Sequence, residues 1–110
     1  MEKQIAVAAL AALAQESRLD VFRLLVRSGP SGLPVGRIAE ALEMPSATLS
    51  FHLKELRSAG LATCRAEGRS RIYSPDFDTV NELLAFLSES CCQGVEKDGK
   101  RWPNTMRRRA

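Results

Sequence analysis

The sequence predicts a mainly α domain carrying one small β-hairpin, and three observations support that expectation. Apolar residues recur at helical spacing in five separate stretches. The period turns extended only between Leu61 and Ser74. Between those regions, the run from Pro45 to Gly60 reads as a helix with a single apolar stripe, following a shorter helix across a Met44-Pro45 break. Leu49, Leu53 and Leu56 fall on one face, and Ser46, Ser50, Lys54 and Arg57 line the other with no acid among them.

Residues 3–14 form the first helix, with Ile5, Ala8, Leu10 and Leu13 too apolar for a helix lying alone in water. It needs cover from elsewhere. Ser17 is the expected cap of a second helix whose core face is Leu19, Phe22, Leu24, Leu25 and Val26, stopped by Gly29 and Pro30. Pro34 suits the first turn of a third helix, which runs to about Leu42 with Ile38, Ala39 and Leu42 inward. Pro45 pre-sets the fourth helix and Gly60 closes it. A two-stranded hairpin follows over Leu61–Arg65 and Ser70–Ser74, with Gly68 supplying a positive φ at its turn. Asp76 or Asp78 caps a last helix bearing Val80, Leu83, Leu84, Phe86 and Leu87, which ends near Cys91-Cys92-Gln93-Gly94. This order of elements is that of a winged helix-turn-helix over residues 1–94, followed by a mobile basic tail over 95–110 that shows no periodicity.

At 110 residues with 45% apolar content, the chain has room for one small core. Three cysteines, no leading signal segment and no apolar run near the ~20 residues that span a bilayer point to a cytoplasmic protein in a reducing compartment, without a membrane partner. The net charge of +3 is unevenly placed. Residues 37–74 hold six basic and four acidic side chains, residues 75–94 only Asp76, Asp78, Glu82 and Glu89, and the tail six basic against two acidic. A basic middle backed by an acidic segment would orient the domain on a polyanion.

Three motifs then carry a resemblance. Ala14-Gln-Glu-Ser-Arg-Leu-Asp-Val-Phe-Arg-Leu-Leu25, Ser50-Phe-His-Leu-Lys-Glu-Leu-Arg-Ser-Ala-Gly-Leu61 and Glu67-Gly-Arg-Ser-Arg-Ile-Tyr73, together with Ile38-Ala-Glu-Ala-Leu42, resemble the ArsR/SmtB metalloregulatory repressors over roughly residues 5–92. The resemblance implies a homodimer joined through its first and last helices, which accounts for the excess apolar surface at both ends. It also implies double-stranded operator DNA as partner.

In a helix-turn-helix the second helix points its N-terminal residues at the bases. Ser46, Thr48 and Ser50 are therefore candidates for base edges or phosphate, Phe51 for a thymine methyl and Lys54 for phosphate. The alternative for the hydroxyls is capping and solvation. His52 lies beside the leucine stripe, where it packs against the domain and donates one hydrogen bond, although the family's Ser-x-His-Leu pattern keeps it near DNA. Arg65, Arg69 and Arg71 crowd the hairpin, where a narrow minor groove would attract them; the resemblance favours this over a solvated charged turn. Two symmetric heads about 34 Å apart call for an inverted-repeat operator.

Cys91 and Cys92 are adjacent. A disulfide between them is disfavoured, because neighbouring Cα atoms lie ~3.8 Å apart against the ~4.4–6.8 Å usual for a bridge. Reduced, the pair offers soft ligands for thiophilic ions; alternatively both are small apolar residues. Leu33-Pro-Val-Gly-Arg37, where many arsenic sensors of the family carry a cysteine signature, has none, and the only histidine, His52, is not on the last helix as in zinc sensors. What is left resembles the branch with a cysteine pair just past that helix, which implies arsenite, methylarsenite or antimonite as inducer, with no other cofactor. That branch has a third cysteine and this chain has none after Cys92. Cys64, a small thiol, or the carbon substituent of an organoarsenical completes the site.

With no Gly-rich phosphate loop, no HExxH and one histidine, the chain lacks the machinery expected of an enzyme. Two other readings stay open. One is a winged helix that senses oxidants or reactive sulfur through the same cysteines; the other is a winged helix used for protein contacts without an inducer.

Overall fold

The computed structural model describes residues 1–93. Along the chain run α1 (Lys3–Leu13), α2 (Glu16–Ser28), β1 (Leu33–Pro34), α3 (Val35–Leu42), α4 (Ser46–Ser58), β2 (Ala62–Glu67), β3 (Ser70–Pro75) and α5 (Phe77–Ser88). The expected tail over 95–110 lies outside the described residues. Among those described, no helix is long and apolar enough to cross a membrane.

Local chemistry sets most boundaries where expected. Asp76 caps α5, its Oδ1 accepting from the Thr79 backbone N–H at 3.1 Å. Gly68 turns the hairpin with φ 61°. Two expectations for α2 need correction. Ser17 sits inside the first turn, and the cap is Gln15, extended at φ −149° with its side chain accepting from the Arg18 N–H at 2.7 Å. The inward face is Val21, Phe22 and Leu25, whereas Leu19 and Val26, seven positions apart on the flank, are exposed.

The core is a seam of large aliphatic side chains. Leu49, Leu53 and Leu56 of α4 pack with Val21, Phe22 and Leu25 of α2, Ile38 of α3 and Leu61 beyond α4. Each large side chain so buried contributes about 1.5–3 kcal/mol. The buried residues of α1 are Ala6, Ala9 and Ala12, small side chains that let the helix lie close on α2 and α4. Its larger Ile5, Val7 and Leu10 point outward, as do Leu84 and Leu87 of α5, all 40–58% exposed. The two helices touch each other.

The sheet has three strands in the order β1-β3-β2, not the two expected. Leu33 pairs with Tyr73 and Pro34 with Ile72, while Cys64 pairs with Tyr73 and Arg65 with Ile72 on the other side. β1 escapes sequence reading because it is two residues long and one of the two is a proline, a residue depleted in strands. Its central neighbour β3 is buried from Ile72 through Pro75.

The hairpin is tied to the loop between α2 and β1. Ser74 Oγ donates to the Pro30 carbonyl at 3.2 Å, and Arg65 Nη2 donates to the Ser31 carbonyl at 2.9 Å. Gly32 makes this close approach possible: its φ is +75°, and a Cβ there would strike the Tyr73 carbonyl and the Ser74 hydroxyl. Gly32→Ala is therefore expected to lower stability by at least about 1–3 kcal/mol from backbone strain alone. Gly36→Ala, in α3 with nothing within 4 Å of the added carbon, should be neutral or stabilising. Urea unfolding midpoints of the two variants check this; equal midpoints would show that the hairpin is not seated through Gly32.

Candidate nucleic-acid interface and thiol site

Burying Leu49, Leu53 and Leu56 leaves the opposite side of α4 in solvent. Ser46, Thr48, Ser50, Phe51, Lys54 and Arg57 are all exposed there. The helix begins after Pro45 with no side-chain cap and no acid in its first turn. Its first backbone N–H groups are thus free of local anionic partners, and with the helix dipole they favour an incoming phosphate. The alternative of capping by the hydroxyls is not used at this end. In the chain, then, α4 presents hydroxyls and N–H groups at its start and cations toward its end.

Phe51 keeps 54% of its surface exposed. Its ring meets that of His52 with centroids 5.8 Å apart, and the Arg18 guanidinium lies 5.7 Å from its centroid. Arg18, which donates to the Ala12 carbonyl at 3.3 Å, thus places a cation from α2 against the side of α4. Sequence reading missed it, since contact between α2 and α4 leaves no local pattern.

His52 packs into the domain as expected: it is only 6% exposed and does not share the open face of α4. The expected hydrogen bond is missing at Nδ1, which is buried with no partner among the described residues. Burial first, and the nearby Arg18 charge second, hold the imidazole below its usual pKa and keep it neutral.

The three hairpin arginines do not form one cluster of free cations. Arg65 is committed, pairing with Glu67 at 2.9 Å through Nε while Nη2 holds Ser31. Arg69, beside the Gly68 turn, and Arg71 are exposed. Arg71 Nη1 lies 3.9 Å from Cys64 Sγ. Arg65 therefore acts first as the strut that sets the hairpin's angle.

A cleft of about 230 Å³ opens between the second half of α4 and the sheet, lined by Lys54, Arg57, Ser58 and Tyr73. The Tyr73 phenol is pushed above its usual pKa by burial first and then by the neighbouring Cys64 thiol, against a smaller opposing pull from Arg57. It remains a hydroxyl donor at neutral pH. Arg57 stood on the polar stripe of α4 in the sequence, but Tyr73 reaches it only through the strand pairing.

Cys91 and Cys92 follow the end of α5 in an exposed turn. The flanking Ser90 and Cys92 both hold left-handed φ values, 61° and 70°. The Cys91 thiol is pushed above its usual pKa by the adjacent Cys92 thiol, as a neighbouring polar group and through the like charge its thiolate would carry. Cys64 is elsewhere, on β2 beside Tyr73, and no group of three or more His, Cys, Asp or Glu side chains able to hold a metal forms among the described residues.

Comparison with known proteins fits this geometry. Residues 13–65 match the model of a helix-turn-helix domain family. The transcriptional activator HlyU of Vibrio cholerae is 34% identical over 95 residues, covering 84% of this chain and 85% of that one. The arsenical resistance operon repressor of Bacillus subtilis is 35% identical over 81 residues, covering 74% and 73%. The homodimeric winged helix-turn-helix DNA-binding domain of Mb0332 from Mycobacterium bovis, described as a possible ArsR-family regulator, superposes with a TM-score of 0.65 at 30% identity, covering 77% and 76%.

The neutral, buried His52 makes a pH prediction. Its folded pKa is depressed, so between the unfolded value of about 6.5 and the lower folded value the unfolded chain binds more protons. Stability is therefore full above pH ~6.5 and declines as pH falls through that window. Urea midpoints should drop from neutral to mildly acidic pH, and His52→Gln should flatten that part of the profile. An unchanged profile in the variant would remove His52 as the titrating group.

Proposed function

The chain belongs to the ArsR/SmtB family of transcriptional regulators, and on that premise we propose that it is a homodimeric repressor, bound to an inverted-repeat operator and released when trivalent arsenic or antimony binds Cys91 and Cys92. One observation carries the ligand assignment: two adjacent, exposed thiols stand at the end of a helix whose Leu84 and Leu87 are uncovered. A second copy covering that apolar face would place both thiol pairs beside the subunit seam.

The thiol chemistry favours a metalloid over zinc. Structural zinc takes four ligands, and the two adjacent thiols supply half of that set. Trivalent arsenic needs fewer. Its neutral trihydroxide exchanges two hydroxyl groups for two thiols, each thiol proton leaving with a hydroxyl as water, and one hydroxyl stays on arsenic. Methylarsenite carries a methyl group at that position, so its two exchanges saturate the arsenic. With Cys64 on the hairpin and no third ligand gathered nearby among the described residues, a two-thiol site suits methylarsenite at least as well as arsenite.

Release follows from linkage. Ligand at the seam reorients two heads that grip one duplex, and a coupling of typically 1–3 kcal/mol lowers DNA affinity by about 5–150-fold. DNA must lower inducer affinity by the same factor.

The missing third thiol also favours a second reading, in which oxidants or reactive sulfur species act on the exposed pair. Release of DNA by peroxide or persulfide without added metalloid would identify it.

The test is release from an inverted-repeat duplex selected with the wild-type protein, titrated with arsenite, methylarsenite, antimonite and Zn²⁺. Wild type is expected to lose DNA affinity about 5–150-fold with a trivalent metalloid and little with Zn²⁺. Replacing Cys91 and Cys92 together by Ser should leave DNA affinity intact and abolish the response. A double variant that responds as wild type would reject the assignment.

A further inference from the structure

We propose that the cleft between α4 and β3 is a phosphodiester seat, in which Lys54, Arg57, Ser58 and the Tyr73 hydroxyl hold the DNA strand that runs between the major and minor grooves. This rests on the DNA-binding reading above and adds three residues, Arg57, Ser58 and Tyr73, to the interface.

The first argument is geometric. If α4 enters the major groove and the Gly68–Arg69 turn reaches the adjacent minor groove, the backbone dividing the grooves must cross the gap between helix and hairpin. The cleft opens in that gap. Its lining is the second argument: two cations and two hydroxyl-bearing side chains, with no carboxylate. Among the described residues the one ion pair is Arg65–Glu67, so neither Lys54 nor Arg57 is paired with a carboxylate among them. Size is the third. At about 230 Å³ the cleft is smaller than the ~300–1,000 Å³ of typical small-molecule sites. It suits a compact anion and disfavours an organic effector.

Arg57 has a simpler role too, as a cation in the last turn of α4 facing the helix dipole. The two roles separate experimentally. A dipole partner changes stability, whereas a phosphate contact changes the salt dependence of DNA binding. Each neutralised phosphate contributes about 0.9 to the slope of log affinity against log salt, and a symmetric dimer has two seats.

The experiment measures duplex affinity across a salt series for full-length wild type, Arg57→Gln, Lys54→Gln and Tyr73→Phe, with circular dichroism to confirm folding. Arg57→Gln is expected to lower the slope by about 2 per dimer and to weaken selected and random duplexes in parallel. Tyr73→Phe should lower affinity several-fold with the slope unchanged, because it removes a neutral donor. Lys54→Gln supplies the same slope test should Arg57→Gln fold poorly. Wild-type slope and affinity in both charge variants would overturn the proposal. Titration with inorganic phosphate alone, at constant ionic strength, distinguishes a free-anion site: amide shifts at Ser58 and Tyr73 without any slope change in the variants would overturn the duplex assignment. Failure of wild type to bind any duplex would instead remove the DNA-binding reading itself.

Discussion

The dry seam between α2 and α4 is the constraint on which the rest of this molecule depends. Leu49, Leu53 and Leu56 are 0–1% exposed against Val21, Phe22 and Leu25. A helix held so firmly by one face has no freedom to roll. Ser46, Ser50, Lys54 and Arg57 therefore face outward as a consequence of which residues face inward. The chain leaving α4 passes directly into buried Leu61, whose carbonyl accepts from the Asp76 N–H at 2.9 Å. One hydrogen bond thus links the exit of the reading helix, the end of the hairpin and the start of α5.

That arrangement joins two functions in a small space. The hairpin is seated by Arg65, Ser74 and Gly32, so its exposed arginines are presented at a set angle beside α4. At the other end, α1 and α5 have spent their smaller or fewer inward residues on the core and keep Ile5, Val7, Leu10, Leu84 and Leu87 in solvent. Apolar side chains at this density on two touching helices are costly to leave in water. A second copy is the partner that the proposed function requires there, and the thiols sit at the end of that same surface.

How much of this was legible in the sequence follows from how local each feature is. The leucine stripe of α4, the Gly68 turn and the Asp76 cap all rest on contacts within a few residues, and all lie where the sequence predicts them. The α2 cap went to Gln15 because its side chain reaches the Arg18 N–H from an extended residue, whereas Ser is the commoner capping residue and drew the reading to position 17. The core face of α2 is set by what α1 and α4 leave room for, so Leu19 and Val26 were misassigned. Strand β1 exists only through its pairing with β3. The same reason hid the cleft, since Tyr73 is fifteen or more positions from the helix residues it meets. The hydrogen bond from Arg65 to the Ser31 carbonyl was hidden for the same reason, since the two residues lie thirty-four positions apart. His52 looked like a hydrogen-bonding residue, but the packing of α4 left its Nδ1 without a partner.

If two copies join through the exposed faces of α1 and α5, a ligand at Cys91 and Cys92 acts on both copies of α4 together. Sedimentation equilibrium of wild type and of a Leu84→Glu, Leu87→Glu double variant tests it most directly, with an inverted-repeat duplex added in parallel samples. Both leucines are more than half exposed, so the variant should keep its fold. The expected result is a dimer for wild type, and for the variant a folded monomer that no longer holds the duplex. A variant that stays dimeric, or a wild type that binds the duplex as a monomer, would contradict the account.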